Sequence, residues 1–249
     1  MPYVAVSALS HPGLLRTRNE DSLVIGPWTL CATVTESPQT MVFPLGTPLV
    51  VAVADGLGGH PGGDLASSLA VRRIASAGPS LNSEDAVRDL LDEGNRAVYE
   101  AAGGDAGGDL ATMGTTVAGI VLGHDSVLVF NVGDSRVFAA PRDGLRQLSV
   151  DDSPPLEPGR RTTSIVTQCL GGSPVHREIS AHVTPVPLTP GDRYLICTDG
   201  VTDPLPPDVI EEVMREHDDS RAAYELWKAA IEAGGPDNIT LAVVRVGEE

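Results

Sequence analysis

The chain has 249 residues, 41% of them apolar, enough for a substantial core and for one large domain or two small ones. Its formal net charge of −17 disfavours nucleic-acid backbones and anionic membrane surfaces as partners. Three cysteines (Cys31, Cys169 and Cys197) fit no zinc motif, no apolar run is long enough to span a bilayer and no N-terminal stretch reads as a signal peptide, so a reduced, cytoplasmic setting is expected.

Tyr3 to Leu9 is strand-like, His11-Pro12-Gly13 is a turn, and Ser22 to Ile25 is a second strand. Thr29 to Thr35 and Thr40 to Phe43, separated by Ser37-Pro38, predict a hairpin or an elongated edge. Val50 to Ala54 is a continuous apolar run that stops at Asp55-Gly56, the pattern of a buried strand opening into a loop. Helices are expected over Asp64 to Ala77, with Leu65, Leu69 and Ile74 roughly on one face, and from the N-cap Ser83 to Gly103-Gly104. Gly103 to Gly108 reads as a loop.

Strands follow over Thr112 to Leu122 and Ser126 to Val132, then a hairpin of Ser135 to Ala140 and Leu145 to Val150 around Arg142-Asp143-Gly144. Asp151 to Arg161 reads as a loop, and Thr163 to Leu170 as a strand or a short helix. Glu178 to Val186 and Arg193 to Thr198 read as strands, Pro207 to His217 and Ser220 to Ala233 as helices, and Ile239 to Val246 as the last strand. No composition shift marks a second domain, so residues 1–249 are read as one. Consecutive hairpins favour antiparallel sheet, with the paired helices packed outside it.

Acidic residues recur at the strand ends. Asp55 closes one apolar run; Asp134, in Val132-Gly133-Asp134-Ser135, and Asp199, in Thr198-Asp199-Gly200, follow two more. Asp237 precedes the last strand and Glu20-Asp21 the second. Each Asp-Gly alone is a common turn dipeptide. Together, brought to one end of packed strands, the carboxylates repel one another unless a cation joins them. Oxygen donors of this kind suit Mg²⁺ or Mn²⁺, and a set without His or Cys argues against zinc. Arg16 and Arg18, just before the acidic pair, are either surface charges or, beside metals, phosphate holders.

With these residues in view, the chain resembles the metal-dependent protein phosphatases of the PPM (protein phosphatase 2C) family in its compact bacterial form. The matching pieces are Arg16-x-x-Asn19-Glu20-Asp21, Ala54-Asp55-Gly56-Leu57-Gly58-Gly59-His60, Met113-Gly114-Thr115-Thr116, Val132-Gly133-Asp134-Ser135-Arg136, Thr198-Asp199-Gly200-Val201-Thr202-Asp203 and Asp237-Asn238-Ile239-Thr240. They cover nearly the whole chain in the family's order, which separate turns do not explain.

The resemblance implies an α+β fold, a four-layer α-β-β-α sandwich of two antiparallel sheets face to face, with a binuclear Mn²⁺ or Mg²⁺ centre between them. Asp55 would bridge both metals, Asp199 and Asp237 would complete one site, and the Gly56 carbonyl the other, with Glu20 and Asp21 helping directly or through water. Asp134, Asp199 and Asp203 match the ligands of a third site, and Arg16, not Arg18, matches the phosphate-binding arginine. The implied activity is that of a serine/threonine phosphoprotein phosphatase in which a metal-bridged water attacks phosphorus directly, without a phospho-enzyme.

The implied partners are phosphorylated Ser/Thr proteins and a Ser/Thr kinase acting on the same targets; a monomer is expected. A phosphatase dedicated to one regulatory partner and an inactive member serving as a binding module are the alternatives. Leu57 stands where some members carry a histidine, and His60 is a nearby alternative acid. Asp151 to Gly172, which in the family helps select substrates, looks short, and Trp28 to Thr47 looks extended.

Overall fold

The computed structural model describes residues 2–57, 62–106, 108–141, 144–155 and 162–247. Its strands are β1 (Tyr3–His11), β2 (Ser22–Ile25), β3 (Trp28–Cys31), β4 (Gln39–Pro44), β5 (Leu49–Ala54), β6 (Gly114–Thr115), β7 (Val117–Leu122), β8 (Ser126–Val132), β9 (Arg136–Ala139), β10 (Arg146–Gln147), β11 (Leu170–Gly171), β12 (His182–Pro187), β13 (Arg193–Cys197) and β14 (Ile239–Gly247). The helices are α1 (Gly63–Ala77), α2 (Glu84–Ala101), α3 (Asp199–Thr202), α4 (Pro207–Glu216) and α5 (Asp219–Glu232).

Two six-stranded sheets carry the fold. One runs β10-β9-β13-β14-β1-β4 and the other β12-β8-β7-β5-β2-β3. Their pairings are antiparallel throughout.

Alternation along the strands builds three apolar layers. In β5, Val51 and Val53 face the other sheet, where they meet Val6, Ile196 and Val244. The intervening Val50, Ala52 and Ala54 face α1 and α2, packing with Ala66, Val71, Ile74 and Leu91. β14 repeats the arrangement: Ala242 and Val244 look inward, while Leu241 and Val243 face Ile210, Ala222 and Leu226 of α4 and α5. Burial on both faces is why these strands read as unbroken apolar runs. The result is the expected α-β-β-α sandwich.

The register places the strand ends that matter on one side. Ala54 pairs with Ser22, Val53 with Ala118 and Val117 with Val132, so Asp55, Asp21 and Asp134 leave the second sheet together. In the first sheet Cys197 pairs with Leu241, and His11 with Ile239, which brings Asp199, Asp237 and the loop carrying Arg16 to the same end.

Four expectations need correction. Trp28 to Thr47 is no hairpin: β3 is the edge of one sheet and β4 the edge of the other, so the segment crosses between sheets. Thr112 to Leu122 is divided, because Gly114–Thr115 pairs with β11 before Val117 joins β8 and Ala118 joins β5. Thr163 to Leu170 is neither strand nor helix until its last residue, where β11 starts. The strand expected from Glu178 starts at His182, where pairing with Asn131 begins. His60 with Gly58 and Gly59, the Arg142-Asp143 turn, and residues 156–161 lie outside the described residues. Among the described residues no helix is long and apolar enough to cross a membrane.

Candidate metal and phosphate site

Backbone bonds hold Asp55 at the mouth of β5. Its carbonyl accepts the Thr116 N–H at 2.9 Å and the Thr115 hydroxyl at 2.8 Å. Its own N–H donates to Thr116 Oγ1 at 3.3 Å, and that hydroxyl is bonded to Ser135 at 2.7 Å. The Met-Gly-Thr-Thr motif is thus the clamp on the central aspartate.

The glycines after Asp55 and Asp199 are needed for space. Neither has a positive φ. A methyl on Gly56 would run into the Gly63 carbonyl and lie 2.7 Å from the Glu20 carbonyl oxygen; one on Gly200 would run into the Asn238 carbonyl. Gly133, before Asp134, is the conformational case, with φ +105°.

Asp21 is fully buried just before β2. Its Oδ2 accepts the Thr198 hydroxyl at 3.0 Å, while Oδ1 has no hydrogen-bond partner. Asp199, in the first turn of α3, likewise keeps Oδ1 buried and unpartnered. Asp237 Oδ2 accepts from Arg16 Nη2 at 2.7 Å, and its Oδ1 accepts the Asn238 N–H at 2.9 Å. That ion pair is the one hydrogen bond of the Arg16 side chain among the described residues, so the rest of its five-donor guanidinium is free for a ligand. Asn238 closes the loop behind Arg16: Nδ2 donates to the carbonyls of Pro12 and Arg18, and Oδ1 accepts the Glu20 N–H.

The electrostatics are those of crowded, dehydrated carboxylates. Burial, helped by Asp199 and Asp237, pushes Asp21 up to about 7. Burial and the charges of Asp21, Asp199, Asp134 and Asp237 hold Asp55 well above the carboxylate range. Asp199 is raised by burial and by Asp237. Asp134, buried, and Asp203, half-buried, each beside Asp199, rise to about 7 as water is excluded from them. Glu20 is raised by burial and by Asp64, with Arg16 opposing. Arg136 opposes these shifts at Asp199 and Asp203 only in part, because its Nε and Nη2 both bond Asp151 Oδ2, at 2.9 and 2.7 Å.

Such a set is stable as a group of anions only with cations among it. Among the described residues no three His, Cys, Asp or Glu side chains form a ready-made metal cage. Mg²⁺-like ions keep several waters and take oxygen donors, carboxylates and backbone carbonyls among them. The two orphaned aspartate oxygens and the all-oxygen donors meet that requirement.

Asp55, Asp134, Asp199, Asp237 and Arg16 line a cleft of roughly 450 Å³, closed on the other side by Leu57, Thr116, Ser164, Ile165, Val166, Cys169 and Gly172. A smaller hollow of roughly 30 Å³ beside it is lined by Asp134, Asp199, Asp203, Asp151 and Arg136. Sequence reasoning missed Cys169 as a cleft residue and Asp64 as a neighbour of Glu20; no local pattern marks them, because only the fold brings them there. Burial pushes the Cys169 thiol to about 11 and Cys197 to about 12, so neither supplies a thiolate nucleophile near neutral pH.

A profile of the family described as Protein phosphatase 2C matches residues 42–230. The chain is 32% identical to the serine/threonine protein phosphatase PstP of Mycobacterium tuberculosis over 256 residues, 96% of this chain and 44% of that protein. It is 31% identical to the serine/threonine phosphatase stp of Listeria monocytogenes over 215 residues, 78% of this chain and 83% of that one. The crystal structure of the PstP catalytic domain in complex with two manganese ions superposes with a TM-score of 0.77 and 26% identity, covering 100% of both chains. The chain therefore belongs to the protein phosphatase 2C family. It spans less than half the length of the mycobacterial relative.

Proposed function

We propose that this chain is a Mn²⁺- or Mg²⁺-dependent serine/threonine phosphoprotein phosphatase. The observation that carries the reading is one cleft lined by Asp55, Asp134, Asp199 and Asp237 beside the Arg16 guanidinium with free donors, with buried, unpartnered oxygens on Asp199 and on the strand-end Asp21. Two manganese ions in the related PstP catalytic domain support the same cation class here.

Asp55, Asp199, Asp237 and the Gly56 carbonyl would hold two ions, with Glu20 and Asp21 contributing directly or through water. Asp134, Asp199 and Asp203 around the small hollow would hold a third. When bound, the ions supply Lewis acidity and a water acidified toward neutral pH.

The chain's own residues do the rest. Arg16 orients the phosphoryl group and offsets charge on its oxygens. Thr115 and Thr116 keep Asp55 fixed. The cleft wall of Leu57, Ile165 and Val166 limits water around the ester. The reading takes hydrolysis to proceed without a phospho-enzyme, and Cys169 and Cys197, both protonated near neutral pH, offer no thiolate for one. The substrates are phosphorylated proteins, the opposing activity a Ser/Thr kinase in a bacterial cytoplasm, and the acting species a monomer; the strongly acidic composition supports protein over nucleic-acid substrates.

The test is hydrolysis of a small aryl phosphate with Mn²⁺, with chelator, and by Asp199→Asn. Turnover that needs Mn²⁺ and vanishes in both controls supports the reading. No turnover from folded, Mn²⁺-loaded protein leaves the binding-module reading instead.

A further inference from the structure

We infer that His11 is a positioning residue for Arg16. Its ring Nδ1 accepts the Gly13 backbone N–H at 3.0 Å and so sets the turn from which the arginine enters the cleft. The inference rests on the reading of Arg16 as the phosphate holder.

His11 is the last residue of β1, paired with Ile239. The chain reverses two residues later at Gly13, whose φ is +76° and where an added Cβ would run into the carbonyls of Asp237 and Gly235. Leu14 N–H then donates to the Gly235 carbonyl at 2.8 Å. Asn238 ties both sides of the loop, through the carbonyls of Pro12 and Arg18. The Gly13 N–H is held by His11 alone among the described residues. The ring is itself held edge-on against Trp227 of α5, with centroids 5.4 Å apart, and Trp227 leans on Tyr224. An accepting Nδ1 requires the neutral ring, and burial lowers the pKa of His11 in that direction. No motif contains His11, yet it connects the helical layer to the loop that presents Arg16.

An asparagine at this position offers a side-chain oxygen to the same N–H two residues on, as an Asx turn does. Phenylalanine keeps a ring against Trp227 and removes the acceptor. The experiment compares His11→Ala, His11→Phe and His11→Asn in the full chain with Mn²⁺, an aryl phosphate and inorganic phosphate as competitor. His11→Ala and His11→Phe are expected to raise KM and the phosphate inhibition constant together by about threefold to tenfold, what one lost hydrogen bond is worth. kcat should change less, and His11→Asn should restore both constants.

Hydrogen exchange over residues 13–18 is expected to speed up in the Ala and Phe variants and return in Asn. Should His11→Ala not fold, the Phe and Asn pair decides. Unchanged KM and unchanged exchange in folded His11→Phe overturn the inference, as does an Asn variant no better than Phe. If the wild-type protein hydrolyses nothing, the activity reading fails, while exchange still decides whether His11 holds the turn.

Discussion

Thr198 donates its hydroxyl to Asp21 Oδ2 at 3.0 Å, across 177 positions of sequence. Thr198 follows β13 of one sheet and Asp21 precedes β2 of the other, so this bond crosses the middle of the sandwich. Thr198→Val removes this bond from buried Asp21 and also the acceptor of the buried Thr240 N–H. The expected cost is about 1–3 kcal/mol of stability, read as a lower urea midpoint in chelator. Mn²⁺ should recover much of it by binding the folded state. An unchanged midpoint would mean that the bond contributes nothing to stability.

Arg16 and Asp237 form an ion pair at 2.7 Å with both side chains about one-third exposed, so its value for stability is small. On the proposed function its consequence is for phosphate binding. Arg16→Lys keeps the charge and loses the planar fork, and Arg16→Ala loses both. Arg16→Ala should lower kcat/KM for an aryl phosphate by about a hundredfold, the scale of one removed charge-stabilising donor, and Arg16→Lys by a smaller factor. Melting temperatures should stay near wild type. A large drop in melting temperature would place Arg16 in the scaffold.

Asp55→Asn separates the two roles of the central carboxylate. In chelator near neutral pH the variant should melt higher than wild type, because the fold no longer has to keep protonated, beside Asp21, Asp199, Asp134 and Asp237, a carboxyl that the unfolded chain releases as an anion. Turnover should fall by about a thousandfold or more, consistent with the several kcal/mol that a catalytic metal supplies. The rise in melting temperature with Mn²⁺ should shrink. Calorimetry with and without chelator checks all of it, and a variant that keeps its activity removes Asp55 from the site.

Much of the fold and of the site is legible in the amino-acid sequence. Val50 to Ala54 reads as a buried strand because both its faces are buried, and Asp55 reads as its end because a carboxylate cannot continue that run. Ser83 reads as an N-cap, and its hydroxyl does accept the Ala86 N–H. Trp28 to Thr47 misleads because β3 and β4 are both edges. Their side chains are only partly buried, and the choice of sheet is made by partners distant in sequence. The single turn of α3 is too short to show a period. Thr115 and Thr116 stand out as a motif, but their work, holding the backbone of Asp55, is a tertiary contact without local signature.

Acidity gives a separate handle. Asp21, Asp134 and Asp203 titrate near 7 in the folded chain, against the ordinary 3.8. Between those values the folded state holds protons that the unfolded chain has released. The contribution of these groups to metal-free stability is therefore fully present below about 4 and lost as pH rises through about 7. Melting in chelator at a series of pH values should show that slope, and Asp203→Asn should flatten it. Mn²⁺ must displace the same protons, so its affinity should climb over the same window. A pH-independent affinity would mean that these carboxylates bind no ion.

The carboxylates of the cleft belong to two separately built slabs. Asp21, Asp55 and Asp134 travel with one sheet, and Arg16, Asp199 and Asp237 with the other. Ions shared between them would act as rivets across a seam, and the seam's width is set by the side chains of the middle layer, from Val6 and Val244 to Val51 and Ile120. The catalytic mouth is therefore a gauge of the packing behind it. A wedge that parts the slabs far from the cleft would loosen the ions before it unfolds the chain, and a partner that squeezes them would tighten their grip without touching the site.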